Sequence, residues 1–374
     1  MPLYLEELET PVPVVDLDRL AQNLDTMAAY CALHGLALRP HVKTHKSARM
    51  AAEQMRLGAV GLTCATPREM EVMSEVARDL LLAHPPVTVP RLQRVLSLPG
   101  NVALSVSIDS VEAAERLSGA ARDTGRMVGA FVELDVGMRR VGVQGASEAV
   151  ALARRIAELE SLRYAGVLFY PGHVRDHVER QGRALERLSD ELEQVLDALA
   201  DAGLAPPVVS GGSTPMAWRA HEVRGVTEVR PGTYVFNDRT TAEIGACSWD
   251  DCALTVLATV VSTSVPGQAV IDAGTKALGR EPLRAPGGED MGFGALLDRP
   301  EVVVSRMSEE HGILDLSRTD WRPRVGEQVR VVPNHVCIVV HLNDGVYGVR
   351  DEVVETGWPV TARGRDGDRP AWSR

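Results

Sequence analysis

The amino-acid sequence predicts an α/β protein that consists of a (β/α)8 TIM-type barrel and a mostly antiparallel β domain. Three observations predict this fold class. Short apolar runs alternate with longer segments of helical spacing over the first two thirds of the chain. From about Asp250 onward, short strand-like runs are separated by turn residues. The length of 374 residues and a hydrophobic content of 45% suffice for a barrel and a second domain.

Eight strand candidates define the barrel. Each is rich in apolar residues and, except for the last, is followed by a segment with clear helical periodicity. In order, they are LALRPHVK, AVGLT, DLLLAH, VALSVSI, MVGAFVELD, YAGVLFY, PPVVS and VTEVRPG. Eight alternating units favour a barrel over an open doubly wound sheet, and functional groups are then expected at the C-terminal ends of the strands.

The last third of the sequence predicts the β domain. Its strand candidates are CALTVLATVVST, QAVIDAG, EVVVSRMS, HGILDL, QVRVVPNH, VCIVVHL and VYGVRDEVVETGWPV. The run PVPVVDL at residues 11–17 is also strand-like, and we expect it to pair with this domain. The predicted boundaries are 18–245 for the barrel, and 1–17 together with 246–374 for the β domain.

Composition excludes several functional classes. The formal net charge of −11 argues against nucleic acid and anionic membranes as partners, because both require a basic face. No segment reaches the roughly 18 apolar residues of a membrane span, and the acidic start MPLYLEELET does not resemble a signal peptide. The 5 cysteines are scattered, which is typical of reduced thiols. A cytoplasmic protein that acts on a small molecule is expected.

The stretch RPHVKTHKS follows the first barrel strand and contains the first candidate catalytic residue. Lys43 lies at the predicted C-terminal end of that strand, where partial desolvation lowers the pKa of an amine and favours a Schiff-base role. Lys46 is the competing candidate, although it falls in the following loop or helix start. A solvated turn without chemistry is the alternative interpretation of this stretch.

A second motif, SGGSTP at residues 210–215, follows the seventh strand. Its small residues allow backbone N–H groups to approach an anion, and the Ser213 and Thr214 hydroxyls add donors at a helix N-terminus. Many barrels bind phosphate in this region, whereas elsewhere such a sequence is often only a turn. Tyr234, shortly after the eighth strand, is a further candidate donor. A lysine and a phosphate site together predict pyridoxal phosphate as cofactor.

A third motif, PNHVCIVVHLND, contains a candidate metal site. In a strand, His335 and Cys337 would point to the same face, and imidazole with thiolate suits Zn²⁺. His341 would lie on that face as well, as a third ligand or, alternatively, as a surface residue. A buried cysteine beside a histidine with a structural partner is the other interpretation of the pair.

Together, these stretches resemble the D-threonine aldolase and D-serine dehydratase group of alanine-racemase-like, fold type III pyridoxal-phosphate enzymes. The blocks that carry the resemblance are RPHVKTHKS, ELDVGMRRVGV, SGGSTP, RPGTYVFND, IDAGTKAL, SEEHG and PNHVC. They occur in the family's order over nearly the whole chain. The resemblance implies a lyase that acts on D-3-hydroxy amino acids and functions as a homodimer.

The resemblance also implies roles for individual residues. Lys43 matches the Schiff-base lysine, and His41 matches a histidine that assists base chemistry. His335 and Cys337 match the two protein ligands of a divalent metal, with Zn²⁺ favoured and Mn²⁺ possible. The positions that match cofactor-binding residues are Arg140, Tyr170, Gly211, Gly212, Ser213, Thr214 and Tyr234.

The family includes two reactions, and Cys337 favours one of them. Dehydratases of the group resemble one another in having cysteine at the second ligand position, whereas aldolases have aspartate. We therefore predict a dehydratase that forms a 2-oxo acid and ammonia, with retro-aldol cleavage to glycine and an aldehyde as the alternative. A metal-independent amino-acid racemase would share Lys43 and the phosphate site but would not need the metal pair.

Overall fold

A computed structural model describes residues 2–283 and 288–364. These residues form two compact units. One, which we call the barrel unit, contains residues 26–43, 47–232 and 361–364. The other, the β unit, contains residues 2–25, 44–46 and 233–360 with the gap at 284–287. The last ten residues of the predicted β domain, 365–374, lie outside the described residues.

Eight parallel strands form the sheet of the barrel unit, as the sequence predicts. They are Ala37–Leu38, Leu62–Cys64, Asp79–Leu82, Ala103–Ile108, Val128–Leu134, Leu162–Phe169, Val209–Gly211 and Glu228–Val229. Neighbours in sequence pair from the second strand to the eighth, and the eighth pairs with the first. A parallel bridge between His41 and Thr63 joins the continuation of the first strand to the second. The curled sheet thereby presents the ends of all strands at one rim.

Helices connect these strands. In chain order they are Leu17–Leu33, Ala48–Arg56, Pro67–Met73, Val89–Leu96, Val111–Asp123, Gly145–Glu158, Gly182–Asp201 and the 3-10 helix Thr214–Glu222, with a short 3-10 turn at Val178–Arg180. Helix Gly182–Asp201 illustrates why these segments fold as helices, because its buried Leu185, Leu188, Leu192 and Val195 recur at intervals of three and four residues. Such spacing places these four side chains on one face of the helix.

The β unit contains a sheet of ten strands. They are Leu3–Tyr4, Val12–Asp16, Leu254–Ser262, Gln268–Ile271, Gly294–Leu296, Val304–Met307, Gly312–Asp315, Gln328–Pro333, Gly345–Arg350 and Val353–Pro359. Strand Val12–Asp16 pairs antiparallel with Leu254–Ser262 and parallel with Gly345–Arg350. The expected pairing of the N-terminal strand with this sheet is therefore confirmed.

The β unit also contains short helices. They are Arg239–Glu243, Thr275–Leu278 and Val336–Leu342, with 3-10 turns at Leu5–Glu7, Thr233–Val235 and Trp249–Asp251. None of the five cysteines, all within the described ranges, forms a disulfide, as expected. Within those ranges, every helix is too short or too polar to cross a bilayer.

One predicted strand is wrong: the run VCIVVHL forms helix Val336–Leu342. Its β-branched residues have high strand propensity, but the buried side chains are Val336, Val339 and Val340, which is the spacing of a helix face. A short run in which six of seven residues are apolar does not distinguish a strand from a helix by periodicity. The same-face argument for His335 and Cys337 was therefore based on the wrong element.

Candidate functional site

Lys43 and His41 lie at the C-terminal end of the first barrel strand. His41 makes the parallel bridge to Thr63, and the chain then enters a turn that carries Lys43. The Lys43 backbone N–H donates to Nδ1 of His41 at a distance of 3.4 Å. Both side chains are partly exposed, so the strand end orients them without burying them. Lys46 instead belongs to the β unit and is buried, in a left-handed conformation with φ 49°.

Tyr170 brings Lys43 and Arg140 together. Tyr170 directly follows the sixth barrel strand, and Arg140 lies in the loop after the fifth. Lys43 Nζ is 5.5 Å from the centroid of the Tyr170 ring, and Arg140 Cζ is 5.1 Å from it. These distances are within the range of cation–π attraction. Three residues that the sequence placed at separate strand ends thus form one cluster.

The predicted phosphate loop follows the seventh strand. A Cβ atom at Gly211 would lie 2.1 Å from the ring of Phe169, and Gly212 has φ +100°, so glycine is required at both positions. Ser213 is buried, and its hydroxyl oxygen has no hydrogen-bond partner among the described residues. The Thr214 hydroxyl accepts a hydrogen bond of 3.3 Å from the Gly232 N–H.

The unpaired hydroxyl of Ser213 indicates whether the loop can bind a phosphate. A buried hydroxyl without a partner costs roughly 1–3 kcal/mol, and native structures rarely leave one in this state. The oxygens of a phosphate accept hydrogen bonds, so an anion at the start of helix Thr214–Glu222 would satisfy Ser213. The donor set of the loop therefore fits the phosphate of pyridoxal phosphate.

Arg230, which the sequence did not indicate as a site residue, contacts Ser210 at the start of this motif. It is buried at the end of the eighth strand, where Nη1 donates to the Ser210 hydroxyl at 2.5 Å and Nη2 to the Phe169 carbonyl at 2.8 Å. Burial of a guanidinium is unusual and requires such partners. The signal in the sequence was an arginine directly after the eighth strand, Glu228–Val229.

His335 and Cys337 lie together in the β unit. His335 is the N-cap residue of helix Val336–Leu342, and Cys337 lies in the first turn. The sulfur of Cys337 is 3.2 Å from the Thr44 hydroxyl and 4.0 Å from the Thr233 hydroxyl. The start of a helix thus places the two side chains together, in place of the predicted strand face.

A buried carboxylate lies behind the imidazole. Nδ1 of His335 is 3.0 Å from Oδ2 of Asp238, whose side chain is 1% exposed. Burial lowers the pKa of His335, but the Cys337 thiolate and the Asp238 carboxylate outweigh this effect and raise it to about 11. A metal cation that binds this imidazole displaces its proton, so metal binding releases a proton.

The donor set fits a divalent metal of borderline softness. One imidazole and one thiolate are typical ligands of Zn²⁺, and a carboxylate behind the imidazole is the usual outer partner of a ligating histidine. Within the described part of the chain, no group of three or more histidine, cysteine, aspartate or glutamate side chains is arranged to hold an ion. Two protein ligands would leave coordination positions open for water or substrate.

Two other predicted residues also belong to the β unit. Tyr234 is buried in the 3-10 turn Thr233–Val235 of the β unit. His341 lies in the last turn of helix Val336–Leu342 with an exposed side chain. Since it is six residues beyond His335 in a helix, it does not share the face that the strand interpretation required.

Two family models match the chain. The model described as the alanine racemase N-terminal domain matches residues 15–240. The model of a serine dehydratase domain matches residues 253–349. Together, the two matches cover the barrel strands and most of the sheet of the β unit.

Curated relatives perform both reactions that the sequence analysis considered. The D-threo-3-hydroxyaspartate dehydratase of Delftia sp. strain HT23 is 36% identical, and the match covers 88% of this chain and 91% of the relative. The D-threonine aldolase of an Arthrobacter species is 32% identical, over 96% of this chain and 94% of the relative.

Solved structures of an aldolase and of a dehydratase are both similar to this chain. The D-threonine aldolase of Filomicrobium marinum has a TM-score of 0.86 at 34% identity, with 97% of this chain and 98% of that chain covered. A D-threo-3-hydroxyaspartate dehydratase, solved as a cysteine-to-alanine variant in the metal-free form, has a TM-score of 0.86 at 33% identity, over 96% of this chain and 98% of that chain.

Proposed function

Because the chain belongs to the D-threonine aldolase and D-serine dehydratase group of alanine-racemase-like enzymes, we propose that it is a dehydratase of D-3-hydroxy amino acids. The products are a 2-oxo acid and ammonia, and the cofactors are pyridoxal phosphate and a divalent cation. Zn²⁺ is the preferred cation, since the donors are nitrogen and sulfur. The active form is a homodimer, as the resemblance implies.

The observation that carries the proposal is the pair of His335 and Cys337. The Cys337 sulfur faces two hydroxyls and the imidazole of His335, which is an environment that suits a thiolate ligand. A related dehydratase has been solved as a cysteine-to-alanine variant in the metal-free form, which implies that this relative binds a metal. Aldolases resemble one another in having aspartate at this position.

The cofactor chemistry requires two contributions. When bound, pyridoxal phosphate supplies an electron sink for negative charge at the substrate's α-carbon, and a divalent cation supplies Lewis acidity at the β-hydroxyl. Lys43 would hold the cofactor through Nζ, and the same amine, once free, would accept the substrate's α-proton. The Tyr170 ring and the Arg140 guanidinium limit the positions that the lysine amine can occupy.

The remaining residues bind and orient. Ser213, with Gly211, Gly212 and Thr214, binds the phosphate. The buried hydroxyl of Ser213, which has no partner among the described residues, supports this role. Tyr234 contributes to the same cofactor. His335 and Cys337 would hold the cation, which would supply Lewis acidity to the substrate's β-oxygen. His41, whose Nδ1 accepts the Lys43 backbone N–H, assists proton transfer.

Retro-aldol cleavage is the second candidate function, because the aldolase relative matches 96% of this chain. It requires a base at the β-hydroxyl in place of proton removal at the α-carbon. The two reactions are distinguished by their products, since cleavage yields glycine and an aldehyde. The same assay distinguishes a racemase, which would convert a D-amino acid to its enantiomer without a metal.

The experiment compares Cys337→Ala with Cys31→Ala as a matched control. Cys31 is a buried thiol, and burial raises its pKa to about 11, so it has no expected role in catalysis. Purified proteins are assayed with D-serine, D-threonine and D-3-hydroxyaspartate, with Zn²⁺ or chelator. We expect ammonia release by the wild type and by Cys31→Ala, and at least a hundredfold loss in Cys337→Ala. Full, chelator-insensitive activity of Cys337→Ala would contradict the proposal.

A further inference from the structure

We infer that Asp238 is a positioning residue that fixes the ring of His335 so that only Nε2 faces the metal. The inference rests on the proposed function, because it presumes that His335 is a metal ligand. It concerns a residue that lies outside every sequence motif considered for the metal site. Its basis is the set of hydrogen bonds around one buried carboxylate.

Both oxygens of Asp238 accept hydrogen bonds. Oδ2 accepts from His335 Nδ1 at 3.0 Å and from the Val336 backbone N–H at 3.2 Å. Oδ1 accepts from the Thr241 backbone N–H at 2.9 Å. The Thr241 hydroxyl lies 3.1 Å from Oδ1 and 2.8 Å from the Asp238 carbonyl oxygen, and it has one hydrogen to donate to the two. The side chain is buried and has no freedom to rotate.

These contacts determine which nitrogen of His335 is protonated. An ionised carboxylate only accepts hydrogen bonds, so the nitrogen that faces it must carry the hydrogen. Nδ1 of His335 therefore donates to Asp238, and in the neutral ring Nε2 keeps the lone pair that a metal requires. Coordination through Nδ1 is excluded, because Asp238 occupies the space in front of it.

The arrangement exceeds what helix capping requires. As N-cap of helix Arg239–Glu243, Asp238 needs only the contact from Oδ1 to the Thr241 N–H. The second oxygen binds His335 and Val336, which are 97 and 98 residues away in the sequence. Capping alone would not place a carboxylate oxygen against the candidate ligand.

Asparagine at position 238 separates the two roles. Asparagine caps helices as well as aspartate does. However, it has one carbonyl oxygen and one NH₂ group, so if the oxygen accepts from Thr241, the NH₂ group faces His335. An NH₂ donor favours the tautomer with an unprotonated Nδ1 and a proton on Nε2, which is the wrong one for the metal.

The first experiment measures Zn²⁺ affinity by competition with a chromophoric chelator. We expect Asp238→Asn to weaken binding by about 10- to 100-fold, the range for loss of an outer partner of a ligating histidine. Thr241→Val is the matched control, since it removes the hydroxyl that contacts the Asp238 backbone and Oδ1 and leaves the contact from Oδ2 to His335 intact. It should change the affinity less than threefold. Thermal unfolding and cofactor absorbance report on the fold of each variant.

A second measurement needs no variant. In wild-type protein labelled with ¹⁵N-histidine and loaded with ¹¹³Cd²⁺, the ¹¹³Cd–¹⁵N coupling identifies the bound nitrogen. Coupling through Nε2 of His335 is expected, and coupling through Nδ1 would overturn the inference even if Asp238→Asn did not fold.

The outcomes separate the inference from the proposed function. Wild type that binds Zn²⁺ tightly, with Asp238→Asn binding equally well, would refute the role of Asp238 and leave the dehydratase proposal intact. An equal loss in Thr241→Val and Asp238→Asn would reduce Asp238 to a helix cap. Wild type that binds no Zn²⁺ would contradict the metal site itself, and the inference would fail with it.

Discussion

Replacement of Gly211 by alanine should displace the phosphate loop. The added carbon would lie 2.1 Å from Cζ of Phe169 and 2.5 Å from Cε1 and Cε2. Carbon atoms in contact are separated by about 3.5 to 4.0 Å, so the ring or the loop must move by more than 1 Å. The Phe169 ring is fully buried and has no space to move into. The loop, which carries the proposed cofactor-binding residues, is therefore the part that shifts.

The substitution has a free-energy cost because it overpacks the interior. Insertion of a carbon atom into a packed interior costs about 1 to 3 kcal/mol of stability. If the loop relaxes in the cofactor-free protein, pyridoxal phosphate must reverse the shift, and its Kd should rise by about fivefold to 150-fold. If the loop does not relax, Tm should fall by about 1 °C for each kcal/mol of strain in a chain of 374 residues. A raised Kd would show that the loop is strained when the cofactor is bound, and a lowered Tm would show that it is strained in the cofactor-free protein.

Absorbance titration of cofactor-free protein measures the Kd, and calorimetry measures Tm. The double variant Phe169→Leu/Gly211→Ala provides the control, because the smaller side chain makes room for the added carbon. It should recover most of the affinity relative to Gly211→Ala. An unchanged Kd and Tm in Gly211→Ala would refute the close contact between strand end and ring.

Three further predictions follow from the same structure. Reduction of the cofactor-loaded protein with borohydride should attach the cofactor to Lys43 and not to Lys46, as mass spectrometry of peptides can determine; attachment to Lys46 would contradict the assignment. Thr44→Val removes the hydroxyl 3.2 Å from the Cys337 sulfur and should weaken Zn²⁺ binding by about tenfold, with Thr44→Ser as the control that retains the hydroxyl. Burial raises the pKa of Glu133 above the unfolded value of 4.5, so the native state keeps a proton that the unfolded chain releases. The free energy of unfolding should therefore fall as pH rises from 4.5 towards the folded pKa, and Glu133→Gln should remove this slope in urea titrations; an identical slope in the variant would contradict the assignment.

The architecture of the barrel was predictable because it is a local pattern repeated many times. Each strand and each helix carries its own periodicity, and a weak signal in one unit is supported by its neighbours. The N-terminal strand Val12–Asp16 was predictable because its run of apolar residues differs from the helical spacing that begins at Leu17. The family resemblance supplied the order of the functional blocks.

Helix Val336–Leu342 shows where local pattern fails. Valine and isoleucine favour strands in isolation, yet packing of Val336, Val339 and Val340 on one face decides the structure. The prediction that His335 and Cys337 lie together still holds, but for a different reason. An N-cap residue and a residue of the first turn are neighbours in space.

The outer contacts of the site could not be predicted from the sequence. Asp238 lies 97 residues from His335, and Thr44 lies 293 residues from Cys337. Contacts over such separations depend on how the strands pair, which a single sequence does not reveal. The unsatisfied hydroxyl of Ser213 is likewise visible only once the burial of its surroundings is known.

Product analysis with D-threo-3-hydroxyaspartate tests the central claim most directly. The substrate, labelled with ¹³C, is incubated with cofactor-loaded protein and Zn²⁺, and the products are followed by NMR with and without chelator. The dehydratase function predicts a 2-oxo acid and one equivalent of ammonia, both abolished by the chelator and restored by Zn²⁺. Glycine and an aldehyde in their place would show that a histidine and cysteine pair supports retro-aldol cleavage, and the use of Cys337 to assign the reaction would be wrong.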